Sequence, residues 1–220
     1  MSRSVRDSGA SLKIVGGRLL DSQGTDAENT ALLIKDGHIV AMGEAAARAD
    51  ADETVNAEGC IISPGFVDLH CNLREPGNGQ KGNIESETRA AAHGGFTTVC
   101  ASPETSPVND SGAVTNLIRD LASNRASVHV LPVGAITRGL EGELLSDMAG
   151  LAAAGCVAVV NRRRGVRTAP VLRRGMANAQ TLVLTVMFLP ANQPPAADRA
   201  APDGLRPDRL WRPCLLPAAA

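Results

Sequence analysis

The chain has 220 residues, with 44% hydrophobic and 20% charged side chains and a formal net charge of −1, the profile of a globular protein with one large domain, or a domain and a half, and a real core. Five cysteines without a CxxC spacing exclude a disulfide framework and point to reduced thiols. No basic-then-apolar leader and no apolar run near ~18 residues occurs, which excludes a membrane partner and leads to the expectation of a soluble, cytoplasmic protein.

The small net charge conceals an asymmetry. Residues 1–160 carry 12 basic and 20 acidic side chains, whereas residues 161–220 carry ten arginines, three aspartates and no lysine or glutamate. Those arginines alternate with Pro and Ala and lack interleaved aromatics, so no nucleic-acid partner is expected. Aromatic residues are only 2% of the chain, so the core is to be built from Ala, Val, Leu and Ile.

In chain order, the first stretch reads as strands and turns. SLKIVGGRLLD is an apolar segment broken by a Gly pair, and TALLIKDGHIVAMG is two short strands around Asp36-Gly37, a hairpin signal. TVNAEGCIISPGFVDLH gives an extended run, a turn and an apolar strand ending at His70. The rhythm then changes. Residues 83–93 read as a helix opened by Asn, Glu and Ser and closed by Gly94-Gly95, and FTTVCA as a β-branched strand. A helix over 110–124, the strand SVHVLPVGA, a helix over 143–154 closed by Gly155, the strand CVAVV, a helix over 170–180 and the strand TLVLTVMFL follow. Repeated βα units with apolar strands predict a parallel sheet covered on both faces.

After Leu189 the prolines become frequent and the period stops, so 190–220 is expected to be irregular. The fold class is therefore α/β: a small β-rich domain over 1–62, a partial (β/α)₈ TIM-type barrel over 63–189, and a tail. About five βα units are legible, against the ~250 residues of a complete barrel.

The chemistry concentrates at FVDLHCNLREPG. Strand alternation puts His70 and Asn72 on one face and turns Cys71 away. Two histidines at this spacing would reach one metal ion from one strand end; here the second is Asn72. Asp68 faces the His70 side, as a hydrogen-bonded strand residue or a support for its neighbours. His38 is expected at a hairpin rim, His93 at a helix C-terminus where the dipole favours it, and His129 at a strand start. Cys60, Cys71, Cys100 and Cys156 are read as small buried apolar residues, and Cys214 has no partner spacing.

ISPGFVDLHCNLREPG, GGFTTVCASPETSPVND and LPVGAITRGLEGELLSDMAGLAAAGCVAV occur in this order over roughly residues 10–160. Together they resemble dihydroorotase of the amidohydrolase superfamily. The resemblance implies a (β/α)₈ barrel behind a small β-domain, a cytosolic place in pyrimidine biosynthesis, and zinc-assisted closure of carbamoyl aspartate to dihydroorotate.

Departures from the family pattern fall on its chemistry. Active members end the strand His-x-His-Leu-Arg, where this chain has His70-Cys71-Asn72-Leu73-Arg74. Asn is a poor replacement for imidazole on Zn²⁺. The family's substrate-binding Asn in Met-Pro-Asn-Thr corresponds to Glu104, wrong in sign for an anionic substrate. The metal-centre aspartate after the strand CVAVV corresponds to Asn161, followed by Arg162 and Arg163. No histidine follows His129. Metal-assisted hydrolysis needs the ion to activate water and polarise a carbonyl, so the expectation is a pseudoenzyme with no catalytic residues, no metal and no cofactor. His70, Asn72 and Asn161 are then vestigial metal-site positions, and Arg74 and Glu104 vestigial substrate-site positions. Arg74 matches the family arginine that holds the substrate carboxylate, and it is expected to pair with Glu104 and plug the pocket.

Inactive family members occur as subunits bound to aspartate transcarbamoylase, so the resemblance implies that partner, with a homo-oligomer as a further possibility. The alternative is a divergent zinc-dependent dihydroorotase, or other cyclic amidohydrolase, in which Cys71 or His129 contributes. A third reading takes the Arg/Pro/Ala-rich ending as a frameshifted one, which makes the chain a truncated, non-functional product.

Overall fold

The computed structural model describes residues 10–21, 23–24, 26–161 and 165–187. The expectations for Arg162, Arg163, Cys214 and the tail over 190–220 lie outside the described residues. The chain divides between Gly65 and Phe66 into two compact units. Among the described residues no helix is long and apolar enough to cross a membrane.

The first unit is a five-stranded sheet built on β1 (Ser11–Leu20). β1 pairs antiparallel with β2 (Asp26–Lys35), and parallel with β4 (Glu53–Asn56) and β5 (Ile61–Ile62). β2 returns as β3 (His38–Met42) through Asp36 and Gly37, both at positive φ (50° and 75°), as a tight two-residue hairpin turn requires. The Gly pair does not break β1. The strand runs through it with slips in the ladder, and a Cβ on Gly17 would stand 2.5 Å from Ile62 Cδ1, so β5 packs into the space that glycine leaves. One element departs from the all-strand expectation: α1 (Glu44–Arg48), a short Ala-rich helix carrying an Arg48–Glu44 ion pair at 2.8 Å.

The second unit is the βα series. Its strands are β6 (Phe66–Cys71), β7 (Phe96–Ala101), β8 (His129–Ala135), β9 (Ala158–Val160) and β10 (Thr185–Met187). They form one curled parallel sheet in chain order, and α2 (Ile84–His93), α3 (Gly112–Arg125), α4 (Met148–Ala153) and α5 (Ala169–Thr181) lie between them. This is a partial TIM-type barrel. Leu73, Val99 and Ala101 pack with Ile84 of α2 and Ile118 of α3, and Ile136, Leu151, Val159 and Ala179 form a second cluster further along. On the opposite sheet face Cys100, Val133, Ala158 and Val160 make a small-residue lining with Met187.

Local chemistry explains both the agreements and the shifts. Asn83 caps α2 reciprocally: its Oδ1 accepts from Ser86 N (2.8 Å), and Ser86 Oγ accepts from Asn83 N (3.0 Å). The helix expected over 143–154 is only α4. Ser146 donates its hydroxyl to Ala135 O (2.6 Å) and its N–H to Ile136 O (3.0 Å), which holds the preceding chain extended against the end of β8, and Asp147 caps the helix by accepting from Gly150 N (3.0 Å). α3 starts two residues later than expected because Asp110 is tied elsewhere, its Oδ2 accepting from Gly139 N at 2.8 Å. Thr181 still belongs to α5, so the last strand is confined to β10 among the described residues.

Candidate functional site at the C-terminal edge of the parallel sheet

Because β6 to β10 are parallel, their C-terminal ends share one edge, the edge where enzymes of this architecture place their chemistry. All five sequence-singled residues lie there. His70 is the second-last residue of β6, Asn72 and Arg74 follow β6, Glu104 follows β7 and Asn161 follows β9.

The end of β6 is irregular. The ladder to β7 slips between Asp68 and Cys71, and Asp68 Oδ1 accepts the His70 backbone N–H at 2.9 Å. Asp68 is thus a hydrogen-bonded strand residue. His70 is half-buried, whereas Asn72 lies beyond the last strand residue and is exposed. Cys71 packs against the helix-side cluster of Ile84 and Ile118. Burial pushes its thiol pKa up, nearby Asp68 and Glu87 add to this, and Arg74 opposes it, so the thiolate a metal would need is disfavoured.

Arg74 sits at φ 64°, and its guanidinium Nε lies 3.7 Å from Glu87 Oε1 on α2. The expected pairing with Glu104 is corrected. Arg74 leans over Gly82 toward the first turns of α2, its Cδ 3.3 Å from where a Gly82 Cβ would be, and so meets the carboxylate there. Glu104 is half-buried in the loop after β7, with its N–H donated to Ser102 Oγ at 3.3 Å.

Asn161 is the best-defined member. Its side chain is in a residue only 1% exposed. Oδ1 accepts from Thr137 N (3.1 Å), and Nδ2 donates to Thr137 Oγ1 (2.6 Å) and Gly165 O (2.9 Å). Both amide hydrogens and the oxygen are engaged within the protein. Thr137 Oγ1 also accepts from Gly142 N (2.9 Å), and Arg167 meets both Gly142 O through its N–H (3.0 Å) and Glu143 through its guanidinium (2.6 Å). Asn161 is therefore a clip joining the loop after β8 to the segment after β9.

The donor set does not fit zinc. It offers one imidazole, one exposed amide and one amide whose polar atoms are already bonded, where zinc takes three or four N, S or carboxylate donors. Among the described residues no three His, Cys, Asp or Glu side chains gather as a metal site would require. His129 opens β8, at the opposite edge of the parallel sheet from His70, and is exposed. Cys60 is exposed, contrary to expectation, because it lies in the turn before β5, where its backbone is held by Arg18 N donating to its carbonyl (3.0 Å) and by its own N–H donating to Ala57 O (2.8 Å).

A buried polar cluster beside this edge escaped the sequence reading. Asn109, fully buried, donates Nδ2 to Val133 O (2.9 Å) and accepts at Oδ1 from Thr115 Oγ1 (2.8 Å), and Cys156 Sγ lies 3.3 Å from the same hydroxyl. Its signal was the Asn-Asp pair in SPVND, which hydrophobic periodicity does not register.

Comparison with known proteins agrees with this geometry. A family model described as dihydro-orotase-like matches residues 59–200. A dihydroorotase-like protein of Pseudomonas aeruginosa is 45% identical over 177 residues, covering 80% of this chain and 42% of that protein. A dihydroorotase of Geobacter metallireducens is 43% identical with the same coverage. Among solved structures, the L-hydantoinase of Arthrobacter aurescens matches with a TM-score of 0.72 at 21% identity, over 83% of this chain and 41% of that one. A D-hydantoinase matches with a TM-score of 0.66 at 24% identity. The chain thus spans about two fifths of the length of the curated relatives it matches.

Proposed function

We propose that this chain, which belongs to the dihydroorotase-like family of the amidohydrolase superfamily, is a non-catalytic member that serves pyrimidine biosynthesis as a structural partner of aspartate transcarbamoylase catalytic subunits in the cytoplasm. The observation that carries the first part is Asn161. At the position that corresponds to a metal-centre aspartate stands a neutral amide, buried, with its oxygen and both hydrogens bonded to Thr137 and Gly165. Its oxygen is already shared with Thr137 N–H, and as a neutral amide it would bring no charge to offset the cation.

Asn72 and Glu104 support the same reading. One is an exposed amide where a second imidazole would stand. The other is a carboxylate where an anionic substrate would need a neutral donor. Arg74, engaged by Glu87, acts in this reading as a structural contact between the loop after β6 and α2. The structural-partner part rests on the family resemblance and on the loss of a chemical role.

The test has two readouts. Co-expression with aspartate transcarbamoylase from the same source, followed by size-exclusion chromatography with light scattering, is expected to give a joint peak that neither protein gives alone. Purified chain supplied with zinc is expected to show no dihydroorotate hydrolysis and no stoichiometric zinc. Zinc-dependent turnover would overturn the non-catalytic reading, and separate elution of two folded proteins would overturn the partner.

A further inference from the structure

The loop after β6 carries one reactive pair that neither the fold nor the proposed role uses. In the whole sequence Asn78-Gly79 is the single asparagine followed by glycine. Asn78 is exposed and opens a single 3₁₀ turn, Gly79–Lys81, yet its carboxamide makes no capping hydrogen bond. Every other asparagine precedes a residue with a side chain, and several are engaged. Asn83 caps α2, Asn56 Oδ1 accepts from Glu58 N (2.9 Å), and Asn109 and Asn161 are buried and bonded. The N–H groups that open a helical turn have no partner within it, so the turn does not hold Gly79 N. The turn itself rests on weak bonds, from Lys81 N to Asn78 O (3.1 Å) and from Gly82 N to Gly79 O (3.4 Å). Opening it locally costs little free energy. With no Cβ on Gly79, its nitrogen can then swing toward Asn78 Cγ.

We propose that Asn78 is a site of spontaneous deamidation through a cyclic imide closed onto Gly79. Water or hydroxide takes the Gly79 amide proton, and the nitrogen attacks Asn78 Cγ to form a new C–N bond. The side-chain Cγ–N bond breaks, and the leaving nitrogen takes up the proton and departs as ammonia. One water then opens either C–N bond of the ring. One opening gives aspartate. The other gives isoaspartate, in which the main chain runs through the former side chain and is longer by a methylene. No oxidant or reductant enters. Both products place a carboxylate between Arg74 and Lys81 in the sequence. This loop is joined to the loop after β7, where Ser106 donates its N–H to Pro76 O (2.8 Å) and its Cβ lies 2.5 Å from where a Gly77 Cβ would be. The longer isoaspartyl backbone therefore acts on a contact between two loops of the C-terminal edge. The proposal concerns the loop's own chemistry and is independent of the role proposed above.

The test is incubation of the full chain in oxygen-labelled water, followed by tryptic mass mapping. Cleavage after Arg74 and Lys81 isolates residues 75–81, EPGNGQK, and fragmentation separates a change at Asn78 from one at Gln80. This peptide is expected to convert before any other that contains asparagine. It should give two chromatographically distinct products, each with the label in the new carboxylate, and convert faster as pH rises through neutrality. Gly79→Ala is accommodated by the fold, because its Cβ would meet nothing closer than 3.7 Å. That variant is expected to keep the wild-type circular dichroism spectrum and to stay unconverted over the period in which half of the wild type converts. A different asparagine converting first, aspartate as the sole product, equal rates in Gly79→Ala, or conversion confined to a urea-unfolded sample would each overturn the proposal. An unconverted chain beside a converting synthetic EPGNGQK peptide would overturn it too.

Discussion

Replacing Asn161 tests the reading of the site directly. Asn161→Ala leaves Thr137 N–H, in a fully buried residue, without its acceptor, and deprives Gly165 O and Thr137 Oγ1 of a donor. An unsatisfied buried group costs about 1–3 kcal/mol. Gly165 is only partly buried, so water can replace its donor, and Thr137 Oγ1 keeps its bond from Gly142 N. The expected loss is therefore about 2–4 kcal/mol, dominated by Thr137 N–H, or roughly 4–16 °C in Tm for a unit of this size. Asn161→Asp is the discriminating variant. Its carboxylate can accept from Thr137 N–H and from the Thr137 hydroxyl, but it faces Gly165 O with an acceptor and buries a charge, so a comparable or larger loss is expected at neutral pH. Thermal unfolding followed by circular dichroism, with and without zinc, gives the answer. If both variants melt within a degree of the wild type, or if Asn161→Asp is rescued by zinc, the clip is not what Asn161 is for.

Thr115→Val removes the hydroxyl that Asn109 Oδ1 accepts from in the core, and about 1–2 kcal/mol should be lost in urea unfolding. Ile118→Ala, at a fully buried position between α3 and the sheet, should cost about 2–5 kcal/mol by the same assay. Burial raises the pKa of Cys71, Cys100 and Cys156, so at neutral pH a maleimide should label exposed Cys60 first among these four, as read by peptide mass mapping. The same shifts carry a sign for stability. Thiols that hold their protons longer in the folded state contribute fully below the ordinary thiol pKa, and that contribution is lost as pH rises through the folded values. The urea midpoint should accordingly fall on the alkaline side, and less so when buried Cys156 is replaced by Ala.

Much of the fold was legible because it is written in local signals. The Asp36-Gly37 turn needs two positive φ values and the sequence supplies residues that tolerate them. The Asn83 cap announces α2, and short β-branched runs between helical periods announce the parallel strands. What failed to read out depends on partners distant in sequence. α4 is shortened because Ser146 bonds to the end of β8, a contact that no periodicity contains. α1 did carry a signal, Glu44 and Arg48 around three alanines, but five residues are too few for a period to show. At the site, residue type identified the positions that depart from a metal centre. Their actual uses, Asn161 as a clip and Arg74 turned to Glu87, come from the loops after β8 and β6. Burial of Cys60 was inferred from its residue type and failed because the turn before β5 holds it outward.

In the second unit strand order equals chain order, each strand from β6 to β10 lying beside the one before it. Such a sheet resembles a row of modules, each held by the one before and the one after, and its cohesion is a sum of nearest-neighbour couplings. Among the described residues β6 and β10 have a single neighbour each, and openings begin there and travel inward. β8, flanked on both sides, should be the last to let its amides exchange with solvent, so the unit behaves as a zipper that can part from either end.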